Sequence, residues 1–203
     1  MTLDLRAKIL EAVNLKGGAS SDFDLDSGLI LPKSRDLRPA AVLIPLVVRS
    51  TTSTLLLTKR SSALKHHPGQ IAFPGGKADQ NDSSVIGTAL REAREEIGLQ
   101  SSDVEVLGTL PPHETVTGFS ATPVVALVKD VEFYPTPEAG EVEEAFEVPL
   151  DHLLNLENYS IQSRRWHNQK RSYYSVPWGP YYIWGATARM LRSFAERMAN
   201  AGR

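Results

Sequence analysis

The chain has 203 residues, with 22 Lys plus Arg against 24 Asp plus Glu, and no cysteine. That length supports one hydrophobic core with a small extension. The missing cysteine excludes a disulfide scaffold, a thiolate zinc or iron–sulfur centre and a cysteine nucleophile. A net charge of −2 gives no broadly basic surface for nucleic acid, whereas a divalent-metal site built from oxygen ligands stays open.

Apolar residues at Leu5, Ile9, Leu10 and Val13 predict a short amphipathic helix over residues 3–15. Residues 17–39, rich in Gly, Ser, Asp and Pro, read as a loop or arm. The β-branched run Ala41–Val48 predicts a central strand, and Thr54–Thr58 a second one across the polar turn Ser50–Ser53, forming a hairpin. Residues 61–82 are irregular, with glycines at 69, 75 and 76 and prolines at 68 and 74.

The strongest helical pattern spans residues 84–97, where Ile86, Ala89, Leu90, Ala93 and Ile97 share a face. Asp82 or Ser83 is the expected N-cap, and Gly98 the left-handed stop. Val104–Leu110 and Ala121–Val128 read as strands, Val142–Leu154 as two short helical pieces around Pro149. Tyr159–Trp166 and Arg171–Ser175 form a late hairpin, and Ala186–Met198 a terminal helix. Asp4 and Glu11 argue against a secretory signal, and no run approaches the ~18 apolar residues of a spanning helix. A soluble cytoplasmic protein is expected, with no membrane or nucleic-acid partner, as monomer or homodimer.

The chemistry concentrates in one segment. On the helix, Glu92, Glu95 and Glu96 stand at i, i+3 and i+4, where like charges destabilise a bare helix. Arg91 can offset this in part, and a hard cation such as Mg²⁺ or Mn²⁺ offsets it better. A solvated acidic face is the plain alternative. The glycine-rich loop and the apolar opposite face favour a site instead, because close-approach backbone can reach a metal or a phosphate.

The string Arg91-Glu92-Ala93-Arg94-Glu95-Glu96-Ile97-Gly98-Leu99 resembles the second half of the Nudix box, R-E-U-x-E-E-x-G-U, where U is a bulky aliphatic residue. Ala93 is small for that position. The first half, G-x5-E, differs. Asp82 follows Gly76 by six residues, and eight residues rather than seven separate it from Arg91, so Asp82 is not expected to act as the first glutamate of the box. A second signature is similar to the coenzyme A pyrophosphatase branch of that family. It runs Leu56-Leu57-Thr58-Lys59-Arg60-Ser61, then Leu64-Lys65-His66-His67-Pro68-Gly69-Gln70-Ile71-Ala72-Phe73-Pro74-Gly75-Gly76, with Lys65 where that branch usually has Arg. Arg38–Val47, Val116–Phe119, Phe146–Leu150 and Ile183–Ala188 are similar to further segments of the branch, so the resemblance covers most of residues 38–195.

The resemblance implies an α/β (α+β) fold, a Nudix α/β/α sandwich with a mixed central sheet. Residues 1–37 would form an N-terminal helix and arm, and residues 38–203 the Nudix hydrolase domain. It also implies Mg²⁺- or Mn²⁺-dependent hydrolysis of the coenzyme A pyrophosphate bond to 3′,5′-ADP and 4′-phosphopantetheine. The alternatives are another nucleoside diphosphate derivative such as ADP-ribose, or a non-catalytic nucleotide-binding module. Glu92 and Glu96 are the leading metal ligands, with the Gly75 carbonyl by family analogy. Glu95 is a third ligand or the base for water. Arg91 orients a glutamate. Glu144 or Glu141 could arrive late as a ligand or base, with Glu144 the catalytic choice. No acid lies between Asp36 and Asp79, and the basic residues of that stretch form a plausible phosphate cradle. Arg60, Lys65 and Lys77, with Gly69 of the loop, are the candidates there. His67 either donates to phosphate or sits in a turn.

Overall fold

The computed structural model describes residues 2–26, 35–166 and 169–202. Helix α1 (Thr2–Asn14) leads to a two-residue strand, β1 (Ser20–Ser21), inside the segment expected to be an irregular arm. The apolar run forms β2 (Arg38–Val48), and β3 (Ser53–Arg60) returns antiparallel beside its end. Short strands β4 (Ile71–Ala72) and β5 (Gly75–Lys77) punctuate the glycine-rich loop before helix α2 (Val85–Ile97). Strands β6 (Val104–Thr109), β7 (His113–Glu114), β8 (Phe119–Val128) and β9 (Val142–Pro149) follow, then helix α3 (Leu150–Leu154). The hairpin β10 (Ser160–Trp166) and β11 (Gln169–Ser175) and helix α4 (Gly185–Asn200) complete the chain.

Strands β1 to β9 form one mixed sheet. Its centre is the parallel pair β2 and β8, in register from Arg38 opposite Phe119 to Val47 opposite Val128. The other edge of β2 is divided: β5 pairs with its first half and β3 with its end. Side chains alternate across β2 as the pleat demands. Ile44 and Leu46 pack with α1, α3 and α4 on one face, and Ala41, Leu43 and Val47 pack with α2 on the other. The result is an α/β/α sandwich in which, among the described residues, α2 is the helix that covers one face.

The segment 142–149 differs from the expected helix. It lies antiparallel on β3, from Thr54 opposite Pro149 to Lys59 opposite Glu144. Its apolar residues fit helical spacing, but a short run is ambiguous by pattern alone. Pairing with β3 decides the outcome, and Pro149 stands at the strand end, where its ring costs no central ladder bond. The N-cap of α2 is Ser84, whose hydroxyl accepts the Gly87 N–H at 3.1 Å, rather than Asp82 or Ser83. Gly98 ends that helix at φ 75°, as its type requires.

The arm is tied down by polar contacts. His113 is fully buried, with Ser20 Oγ 2.9 Å from its Nδ1 and Asp22 Oδ1 3.1 Å from its Nε2. Asp24 pairs with Arg189 of α4, and Asp26 accepts the Ser172 N–H of β11.

Candidate functional site

The loop entering α2 lies against the sheet. The Pro74 carbonyl accepts the Leu43 N–H at 2.8 Å, and Gly75 and Gly76 pair with Val42 and Ala41. Gly75 has φ 156°, and a Cβ there would stand 2.5 Å from the Ala41 carbonyl oxygen. A Cβ on Gly76 would stand 2.5–2.7 Å from the carboxylate of Glu92. Both glycines are therefore needed for backbone to reach the acidic helix.

Helix periodicity sorts the three glutamates. At about 100° per residue, Glu96 lies about 40° to one side of Glu92 and Glu95 about 60° to the other. Glu92 and Glu96 turn toward the loop, and Glu96 is only 5% exposed. The side chain of Glu95 is 51% exposed and meets Arg91 Nη1 at 3.0 Å. Glu96 Oε2 accepts the Gly75 N–H at 3.2 Å. Burial pushes the Glu96 carboxyl up to about 8. The Gly75 N–H and Arg60 oppose this, while the charges of Glu92 and Glu141 add to it. Burial also raises Glu92, against the nearby charge of Arg91.

Arg91 organises the rim. Its Nε and Nη2 form a fork on the two oxygens of Asp82, each at 2.9 Å, and Nη1 reaches Glu92 and Glu95, each at 3.0 Å. Its Nη2 also donates to the Lys77 carbonyl at 3.2 Å. Asp82 accepts the Asp79 N–H and the Thr88 hydroxyl as well. The Arg91 fork is the main cause that holds Asp82 below the usual carboxylate range. Asp82 is thus a fixed partner of Arg91 in spite of the longer spacing, a role the sequence pattern did not disclose.

The C-terminal end of α2 recruits a distant acid. The N–H groups of Thr136 and Glu138 donate to the carbonyls of Ile97 and Glu96, each at 2.9 Å. The chain then turns so that the charge of Glu141 acts on both Glu92 and Glu96. Glu144, the favoured late-arriving acid from sequence, lies elsewhere. It accepts the Tyr181 hydroxyl at 2.5 Å and lines a separate cleft with Lys59, His67 and Gly69. Strand alternation is the reason: Glu144 sits opposite Lys59 on β3, and Arg60, the next residue, is the one whose charge acts on Glu96.

The basic candidates separate in the same way. Arg60 brackets the loop through its backbone, donating its N–H to Gln70 and accepting the Gly69 N–H. Its Nε is buried, with no hydrogen-bond partner among the described residues. His67 adopts a positive φ of 55° at the cleft mouth, and the side chains of Lys65 and Lys77 are exposed. Among the described residues, no three His, Asp or Glu side chains already converge at metal-ligand spacing. Arg91 accounts for part of this, because it draws on both Glu92 and Glu95.

A family model for the NUDIX domain matches residues 37–169. The chain belongs to the Nudix family. It is 41% identical over 187 residues to an uncharacterized Nudix hydrolase NudL of Pectobacterium atrosepticum, spanning 90% of this chain and 96% of that one. A NudL of an Enterobacter species, also described as uncharacterized, is 46% identical over 184 residues, spanning 86% and 92%. The fold also matches the crystal structure of the MutT protein of Methanosarcina mazei Go1, with a TM-score of 0.55 at 16% identity over 85% of this chain and 100% of that one. At that identity the likeness is one of fold. The chain is accordingly a Nudix hydrolase, and Nudix hydrolases generally use a divalent cation such as Mg²⁺ or Mn²⁺.

The residues of this Nudix site suit such a cation. A carboxylate as buried as Glu96, with one N–H donor and two acidic neighbours, is costly unless a positive charge meets it. Its oxygens, with those of Glu92 against the loop backbone, are hard donors of the kind Mg²⁺ and Mn²⁺ prefer. No helix among the described residues is long and apolar enough to cross a membrane.

Proposed function

We propose that the chain hydrolyses the pyrophosphate bond of coenzyme A and its derivatives, giving 3′,5′-ADP and 4′-phosphopantetheine or its acyl form. The observation that carries this reading is the position of Arg60. It belongs to the Leu56–Ser61 signature, its backbone fastens the Gly69–Gln70 loop of the same signature, and its charge acts on Glu96 of the acidic helix. Through that charge the two motifs act on the same carboxylate, so an anionic diphosphate drawn to a cation there would also feel the arginine.

In this reading Glu92, Glu96 and the Gly75 carbonyl hold Mg²⁺ or Mn²⁺, with Glu141 in the part first given to Glu144. The bound cation supplies charge neutralisation on the diphosphate and a more acidic water. Arg60 lends its positive charge to the phosphates. Lys65 and Lys77 add positive charge at the rim, and His67 and Gly69 border the substrate. Arg91 holds Glu95, exposed and facing solvent, as the acceptor of the water proton. Water then forms a bond to one phosphorus, the bridging P–O bond breaks, and the bridging oxygen leaves on the other phosphate.

Product analysis tests the reading. Purified protein incubated with coenzyme A and Mn²⁺ should release 3′,5′-ADP and phosphopantetheine in equal amounts, resolved by chromatography. Absence of both products, with turnover of another dinucleotide, would move the assignment to that substrate.

A further inference from the structure

A second feature lies one residue from Arg60. The cleft bordered by Lys59, His67 and Glu144 has a volume of about 500 Å³, and Tyr181, Tyr182 and Trp184 form its aromatic wall. These aromatics are not equivalent. Tyr181 is already stacked on Phe146, with ring centroids 3.5 Å apart and planes 7° from parallel, and its hydroxyl is given to Glu144. Trp184 has the Tyr173 ring at 5.0 Å and the Arg164 guanidinium over it at 5.9 Å. Tyr182 is 46% exposed, with its ring 6.5 Å from Trp184 and its hydroxyl in a 3.5 Å contact with Tyr173. A large ring left this open on a cleft wall is a platform awaiting a flat partner.

We propose that this cleft binds the adenine base of the substrate, with the Tyr182 ring as its stacking platform and Glu144 facing its amino edge. The inference rests on the reading above that the substrate is an adenine-containing diphosphate. Three observations favour adenine over the flexible pantetheine arm. The wall offers ring faces, which reward a planar π-system. Glu144 is an acceptor, and Gln70 offers both an acceptor and donors, at the same cleft. That mixture suits a base edge bearing an amine and ring nitrogens better than an aliphatic chain. Finally, Gly69 and Gln70 line the cleft, and both are hydrogen-bonded to the backbone of Arg60, so the cleft adjoins the residue given to the phosphates.

Calorimetric titration of AMP against ribose 5-phosphate isolates the contribution of the base, because the two ligands share the sugar and the phosphate. Wild-type protein should bind AMP at least about fivefold more tightly, the low end for stacking one base on an aromatic side chain. Tyr182→Ala should bring that ratio close to one while leaving ribose 5-phosphate binding and the melting temperature unchanged. Tyr182→Phe, which keeps the ring, should preserve the ratio. Tyr182→Leu takes the place of the alanine variant if the latter does not fold. Equal affinity for the two ligands in the wild type, an unchanged ratio in Tyr182→Ala, or a loss in Tyr182→Phe as large as in Tyr182→Ala would each overturn the proposal. Coenzyme A turnover is scored apart from this. Base-dependent binding without coenzyme A hydrolysis keeps the cleft and removes the coenzyme A reading, and the opposite pair of results does the reverse.

Discussion

Glu96 shows how one side chain can favour chemistry at the expense of stability. It is buried, its carboxyl is pushed up to about 8, and the Gly75 N–H is its one hydrogen-bond donor among the described contacts. At pH 7 folding must either bury its charge or take up a proton, and the uncharged isostere removes that cost. Glu96→Gln should therefore melt at or above the wild-type temperature in metal-free buffer, lose most of the stabilisation given by Mn²⁺, and drop in kcat/KM by about 10²-fold or more, within the range for loss of a catalytic group. Calorimetry with and without Mn²⁺, alongside kinetics, checks all three. Asp82 behaves oppositely. Arg91 holds its pKa below the ordinary value near 4, so the folded state binds its proton more weakly than the unfolded chain. Its stabilising contribution is complete above about pH 4 and is lost as pH falls through the folded value. Asp82→Asn should be less stable than the wild type at pH 7 and should lose less stability on acidification, as read by denaturant titration at pH 7 and pH 3. The sequence showed Glu92 and Glu96 because i and i+4 share a helix face. It named both Glu141 and Glu144 but could not choose between them, nor show the Asp82 fork, because these depend on how distant segments fold back.

At the scale of elements, local signals sufficed wherever they agreed with tertiary pairing. Helix α2 has an apolar stripe, a serine cap and a glycine stop, and it forms where the pattern placed it, with the cap one residue later than expected. Ser84→Ala removes the acceptor for the Gly87 N–H and should cost about 1 kcal/mol, measured as a lowered urea midpoint with an unchanged slope. Strand β9 is the contrary case. Val142, Phe146 and Pro149 fit a helical spacing, yet the unpaired edge of β3 takes the segment as a strand. Nothing local to residues 142–149 announces that edge. The consequence for function is direct, since strand alternation, rather than helix phase, puts Glu144 into the aromatic cleft.

At the scale of the molecule, three layers divide the work. One sheet face packs α2 and carries the acids, and the other packs α1, α3 and α4 into the larger core. Helix α1 contributes Ile9 and Ala12, both fully buried, to that core, so it is a structural part of the sandwich. Ile9→Ala should cost about 2–5 kcal/mol in denaturant unfolding, as a deletion inside a packed core does, while leaving KM unchanged. The near-neutral total charge also takes on a spatial meaning. Basic residues gather in the stretch ahead of α2 and acids on the helix itself, and Arg60 and Glu96 are where the two meet.

The central claim is that this meeting point is built for coenzyme A. Its most direct test is the kcat/KM for coenzyme A relative to ADP-ribose, measured side by side with Mn²⁺ in the wild type and in Arg60→Gln. The account predicts a clear preference for coenzyme A in the wild type, and a lower kcat/KM for both substrates in Arg60→Gln because they share the diphosphate. Equal or faster turnover of ADP-ribose by the wild type, or an unchanged kcat/KM for coenzyme A in Arg60→Gln, would contradict it.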